Sequence, residues 1–145
     1  MAQSPPGVWL GVDVGTVRVG VARTDPQGLL AVPVTTLRRD ARTDRDLDQL
    51  AALVIEYEAA GVVIGLPVTL AGREGDSARI AREYGASLAR RVSPVPVEFV
   101  DERLTTVSAQ RKLSQGGVRG RAGRAVIDQA AAVELLQHWL ESRRA

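Results

Sequence analysis

Apolar residues return along this 145-residue chain with two different periods, and the elements can be drawn where the period changes. Residues 8–37 run apolar or alternate in three short stretches, VWLGVDV, RVGVART and LLAVPVTTLR, parted by Gly15-Thr16 and by Asp25-Pro26-Gln27-Gly28. Turn residues at such close spacing predict three strands in an antiparallel meander. From 44 to 59 the period is that of a helix: Leu47, Leu50, Val54 and Tyr57 share one face, with Asp, Arg and Glu opposite, and Gly61 ends it. VVIGLP (62–67) is wholly apolar, the pattern of a strand covered on both faces. A second helix over 75–92 carries Ile80, Tyr84 and Leu88 and is closed by Pro94 and Pro96. VPVEFV (95–100) makes a fifth strand, Thr105 caps a short helix to about Leu113, and 122–143 form a long terminal helix. The predicted order is β-β-β-α-β-α-β-α-α, an α/β fold with a mixed five-stranded sheet flanked by helices. Without an internal repeat or a boundary, 1–145 reads as a single domain with residues 1–7 as a flexible tail.

Composition narrows the picture. At 45% hydrophobic residues the chain supports one well-developed core, but aromatics are only 3%, so that core is built from Val, Leu, Ile and Ala. The same scarcity argues against nucleic-acid recognition on an aromatic stacking platform. The absence of cysteine excludes disulfides, thiolate zinc sites and a Cys nucleophile, and fits a reducing cytoplasm. MAQSPP has neither the basic nor the apolar region of an export signal, and no run is long enough for a membrane span, so a cytoplasmic protein with no membrane partner is expected. The net charge of +2 is unevenly spread: 111–124 (RKLSQGGVRGRAGR) holds basic residues and no acidic one. Such a run is either a solvated loop or a phosphate-contacting arm, and its neighbours decide between them.

Three carboxylate positions stand out among those neighbours. Asp13 sits inside an apolar strand, where an ionised side chain costs several kcal/mol unless something compensates it. Asp101 and Glu102 follow at the carboxyl end of another strand, the place where open α/β sheets put their chemistry. Asp128, at 100° per residue, lies within about 40° of Ala132, Leu135 and Trp139, at the centre of the apolar stripe of the last helix. Each has an ordinary explanation. Asp13 can bond to backbone N–H groups of the Gly15-Thr16 turn, and Asp101 and Glu102 can favour the start of a helix at Thr105. Asp128 can pair with Arg124 one turn earlier, a contact worth a few tenths of a kcal/mol and too weak to justify that position. With the first strand central and the strand ending at Asp101 beside it, a helix across both brings Asp128 over the same spot. Three carboxylates gathered there repel one another, and a divalent cation with oxygen ligands offsets that. One histidine and no cysteine make zinc a poor candidate, whereas Mg²⁺ or Mn²⁺ suits an all-oxygen site.

The stretches GVDVGTVRVGVA, VIGLPVTLAGREG, VDERLTTVSAQRKL and RAVIDQAAAVELLQ, in this order and spacing from about Val8 to Trp139, resemble the YqgF/RuvX family of RNase H-like nucleases. The resemblance implies an RNase H-like fold and a hydrolytic nuclease dependent on Mg²⁺ or Mn²⁺. Its implied substrates are the 5′ end of precursor 16S ribosomal RNA or four-way (Holliday) DNA junctions. It carries over Asp13, Glu102 and Asp128 as catalytic and metal-binding residues, with Asp101 as a further metal candidate. In a two-metal site the ions lie ~3.5–4 Å apart, with Asp13 bridging and Glu102 and Asp128 on either side. Thr16, Arg18, Arg103, Lys112, Arg119, Arg121 and Arg124 are then the residues expected to contact backbone phosphates. Junction resolution takes two paired cuts and so implies a homodimer. Two other classes compete. Asp13-Val14-Gly15-Thr16 also matches the phosphate hairpin of ATP-dependent phosphotransferases related to sugar kinases and actin, which bind nucleotide between two such domains where this chain has one. The same carboxylates also suit a module that holds RNA or junction DNA without cutting it.

Overall fold

Strand alternation sorts the first element at once. In β1 (Trp9–Val14) Leu10 and Val12 enter one core, while Trp9 packs against the other. β2 (Arg18–Thr24) runs antiparallel to it, and the turn between them closes where Gly15 N–H donates to the Arg18 carbonyl at 2.9 Å. β3 (Ala31–Arg38) completes the predicted meander, with Pro33 facing Ala22 where the register breaks between Val21 and Ala22. There follow α1 (Arg45–Glu56), β4 (Gly61–Leu66), α2 (Asp76–Val92), β5 (Val97–Asp101), a 3₁₀ turn (Glu102–Leu104) and α3 (Arg121–Arg144). These come from a computed structural model that describes residues 7–69, 71–104 and 121–144, with the side chains of 104, 121–127 and 144 outside the description. The short helix expected over 105–113 lies outside the described residues.

The sheet has the order β3-β2-β1-β4-β5, with β1, β4 and β5 parallel, so it is mixed and five-stranded as expected. One expectation is corrected: β5 does not lie beside β1, because β4 comes between them. Every residue of β4 is buried, and a strand with no polar position belongs inside a sheet rather than at its margin. A second correction concerns the end of α1. The helix stops at Glu56 and the chain turns through Glu58, whose φ is 49°. Gly61 instead opens β4 beneath the Trp9 ring, which would lie 2.2 Å from a Cβ placed there.

Helices α1 and α2 cover one face of the sheet, where Leu10, Val12, Val21, Leu47, Leu50, Ile64 and Leu88 form the larger core. Helix α3 covers the other with Ala132, Leu135, Leu136, Trp139 and Leu140, against Ala22 and Val63. The two tryptophans meet there, ring centroids 4.4 Å apart. Full burial of each such aliphatic side chain contributes about 1.5–3 kcal/mol, so α3 is fixed to the sheet by its own stripe. It lies unusually low. A Cβ at Gly11 would stand 2.7 Å from Leu136 Cβ, and one at Gly20 would stand 2.0 Å from the Asp128 carbonyl oxygen. Among the described residues no helix, α3 included, is long and apolar enough to cross a membrane.

The acidic residues of α1 do not all lie opposite its apolar face as expected. Asp46 is completely buried, four residues before Leu50 on the same stripe. Its carboxylate accepts bonds from Arg39 Nη1 at 3.1 and 3.2 Å, from the Asp40 backbone N–H at 3.0 Å and from the Tyr84 hydroxyl at 2.9 Å. A buried charge tolerated at this depth needs such saturation. Burial, reinforced by the neighbouring Asp46 carboxylate, pushes the Tyr84 hydroxyl far above its ordinary pKa of 10.0.

Two outcomes follow from this packing. Alanine normally improves on glycine inside a strand, but Gly20→Ala is expected to lower stability by about 1–3 kcal/mol, since the opposing atom is helix backbone that cannot rotate away. Urea denaturation of the variant measures it. Because the folded-state pKa of Tyr84 is raised, its stabilising contribution is complete below about pH 10 and is lost as pH climbs further and the unfolded chain ionises. Denaturation midpoints of Tyr84→Phe should fall less steeply above pH 10 than those of the parent, after an initial cost of about 1 kcal/mol at neutral pH.

Candidate active site

Asp13 lies on the α3 side of the sheet and is 1% exposed. In the ladders Asp13 faces Gly20 of β2, Val12 faces Ile64 of β4, and Gly65 faces Val100 of β5. Gly20, Asp13, Gly65 and Val100 therefore form one row across four strands spaced by about 4.8 Å. Asp128 rests over the glycine on one side of Asp13, with its own backbone against Gly20. Glu102, 4% exposed, lies over the glycine on the other side, its Oε1 2.7 Å from where a Gly65 Cβ would sit. Acidic residues from β1, the 3₁₀ turn and α3 are thus placed along one row at one end of the sheet. The intervening β4 would screen Glu102 from Asp13 if it carried a side chain at position 65.

The remaining contacts of these groups differ. Arg18 Nε donates to Asp128 Oδ2 at 3.0 Å, and both side chains are about one-fifth exposed, 20% and 19%. This ion pair crosses from β2 to α3, while the Arg124 side chain weighed as a partner for Asp128 lies outside the described residues. Asp13 Oδ1 accepts no hydrogen bond among the described residues, although the carboxylate does take part in other contacts. As placed, no three acidic or imidazole groups among the described residues close round a single ion. Like charges repel, and Arg18 draws Asp128 toward β2. The donor set nevertheless fits a hard divalent cation: all three groups offer carboxylate oxygen, and the glycines on either side of Asp13 let Asp128 and Glu102 come down close to the sheet beside it.

Asp101 and Glu102 part company although adjacent. Asp101 takes the backbone N–H of Arg103 at 2.9 Å and its guanidinium at 2.7–3.2 Å. The Arg103 hydrogen bonds hold the Asp101 carboxyl below the usual carboxylate range, and Asp101 in turn raises Arg103. These two candidates occupy each other, and strand alternation sends Asp101 to the side of Phe99, away from the row. Thr16 stands exposed on the β1–β2 turn. Arg121 and Arg124 lie on the first turns of α3 with side chains outside the description, and Lys112 and Arg119 lie outside the described residues altogether.

The sequence reading missed the residues that make the row possible, Gly20 and Gly65. Their signal was present, since glycine inside a strand weakens it and marks a close approach by something else. It also missed Gln129, whose Nε2 donates to Thr36 Oγ1 at 3.0 Å and pins α3 to β3 beside Asp128.

Residues 7–142 match the RuvX family, described as Holliday junction resolvase. A protein of Frankia casuarinae named "Putative pre-16S rRNA nuclease" is 59% identical over 94% of this chain and 68% of its own length. One of Mycobacterium tuberculosis with the same name is 60% identical over 94% of this chain and 79% of its own. Among solved structures, Thermus thermophilus RuvC in complex with a Holliday junction substrate superposes with a TM-score of 0.57 over 94% of this chain and 95% of that one, at 13% identity. At that identity the likeness speaks to architecture, and it is the RNase H-like fold. Sequence match over nearly the whole chain, together with that architecture, makes this protein a member of the RuvX family.

Proposed function

We propose that the chain is a divalent-metal-dependent nuclease that hydrolyses phosphodiester bonds in structured nucleic acid, with the 5′ end of precursor 16S ribosomal RNA as substrate and the cytoplasm as its place of work. The observation that carries this reading is the row in which Asp13 is flanked by two glycines, each covered by a further acidic residue. The names borne by relatives 59% and 60% identical support the RNA. In this reading Asp13, Glu102 and Asp128 would together hold Mg²⁺ or Mn²⁺. Bound there, such ions supply an activated water and neutralise charge on the leaving oxygen.

The chain's own residues do the rest. Arg18 holds Asp128 through Oδ2 and fixes its rotamer. The absence of a side chain at Gly65 lets Glu102 reach inward across β4. Thr16 and the basic residues Arg18, Arg103, Lys112, Arg119, Arg121 and Arg124 bind the phosphate backbone, which positions a strand without reading its sequence, so specificity rests on shape. A second reading, favoured by the family description and the fold shared with RuvC, takes a four-way DNA junction as substrate. It requires two copies of the chain related by a twofold axis to make paired cuts.

Purified protein incubated with Mg²⁺ or Mn²⁺ and either a pre-16S RNA fragment or a four-way junction tests both readings. Cleavage is expected, and Asp13→Asn, Glu102→Gln and Asp128→Asn should each lower it about a thousandfold, the loss of several kcal/mol of charge stabilisation, with thermal melting little changed. Tight binding without cleavage by the parent would make the chain a holding module, and full cleavage by Asp13→Asn would remove Asp13 from the site. Gly65→Ala is expected to fold and to bind nucleic acid normally in EDTA, yet cut about a hundredfold more slowly because Glu102 is displaced.

A further inference from the structure

Beyond the acidic row, on the β3 side, the chain builds a second feature. Arg38 ends β3 opposite Arg18 in the ladder, and residues 39–44 then loop to the start of α1. This loop is firmly built. Arg39 N–H donates to the Val17 carbonyl at 2.8 Å, and Asp44 N–H to the Asp40 carbonyl at 2.8 Å. The Asp40 carboxylate accepts the backbone N–H groups of Arg42 and Thr43 at 3.1 and 3.2 Å and the Thr43 hydroxyl at 2.6 Å. From beneath, buried Asp46 grips Arg39 and the Asp40 N–H.

The consequence is a separation of charge. Each carboxylate of the loop is turned inward or already engaged: Asp40 into its own turn, Asp46 in the core, and Asp44 beside Arg39 and Arg91 at 3.6 and 3.7 Å. Arg38, Arg42 and Arg45 are exposed and make no ion pair among the described residues. All three line one open cleft of about 650 Å³, together with Thr36, Thr43 and Gln49. Scattered surface arginines are ordinary, but three unpaired ones around a concavity with a rigid floor focus a positive field. Guanidinium groups match phosphate oxygens with two parallel bonds each. Arg38 lies two strands from β1, roughly 10 Å across the sheet, while Arg45 and Gln49 of α1 extend the cleft toward the opposite face.

We infer that this cleft is a second, non-catalytic phosphate site, in which Arg38, Arg42 and Arg45 hold the backbone of the bound nucleic-acid strand a few nucleotides from the bond to be cut. The inference rests on the proposed nuclease function for its substrate, but its test reads binding alone. It assigns to the β3–α1 loop a contact that none of the residues expected from the sequence supplies.

The test compares the intact chain with its Arg42→Gln/Arg45→Gln variant by fluorescence anisotropy, in EDTA, on a labelled pre-16S RNA fragment and a labelled four-way junction across a salt series. Both side chains are exposed, so folding should be retained, and thermal melting checks it. The expected result is about a tenfold loss of affinity at low salt. The slope of log K against log salt should also become shallower by about 1.4 on single-stranded RNA or 1.8 on duplex, for two phosphates released. In the unsubstituted protein, bound RNA should shield Arg42 and Arg45 from phenylglyoxal, a readout that needs no variant. Unchanged affinity and slope, no shielding, or no binding of either nucleic acid by the parent would each overturn the inference. Displacement of the RNA by equimolar ATP would likewise overturn it, assigning the cleft to a small phosphate ligand. Altered slopes with no cleavage by the parent would sink the nuclease reading and leave the cleft standing, whereas cleavage with unaltered slopes would do the reverse.

Discussion

Missing side chains at Gly11, Gly20 and Gly65 govern how near α3 and the 3₁₀ turn can come to the sheet. Three strands carry a glycine on the α3 face, two of them level with Asp13. Each costs about 0.5–1 kcal/mol relative to alanine inside a strand. In return Leu136 descends onto β1, the Asp128 backbone onto β2 and the Glu102 carboxylate onto β4. Side chains at those positions would lift the helix and the turn away from Asp13 and leave three acids attached to separate layers.

That arrangement works against stability and has to be carried by something else. Burying Asp13 and Glu102 removes two carboxylates from water, at several kcal/mol each before compensation. Leu135, Leu136 and Leu140, all at most 1% exposed, lie along the same helix. Each contributes about 1.5–3 kcal/mol of apolar burial, which opposes the cost of the carboxylate at the leading end of the stripe. Arg18 then sets where Asp128 sits, so a residue read from the sequence as a phosphate contact also serves the site from within.

Much of this was legible in the chain. Close turn signals fixed the meander, the unbroken apolar run of β4 announced a buried strand, and helical phase alone put Asp128 on the apolar stripe. Applied to α1, the same phase rule would have found Asp46, which sits one turn before Leu50; the abundance of polar neighbours around it hid the signal. The place of β4 between β1 and β5 was implied by its own composition, since only an inner strand is covered on both faces and flanked on both sides. Strand alternation separates Asp101 from Glu102, but what no periodicity could reveal is how Asp101 is engaged. That depends on a two-residue reach from Arg103 that folds back within one turn.

Pro33 has a meaning that extends past this molecule. It stands in β3, the outermost strand on its side, where the register with β2 also slips. Proline offers no amide hydrogen and the slip bends the row of backbone groups, so a strand from elsewhere finds no regular template to extend there. A protein with so few charges along that strand is thereby guarded against edge-to-edge aggregation by its backbone.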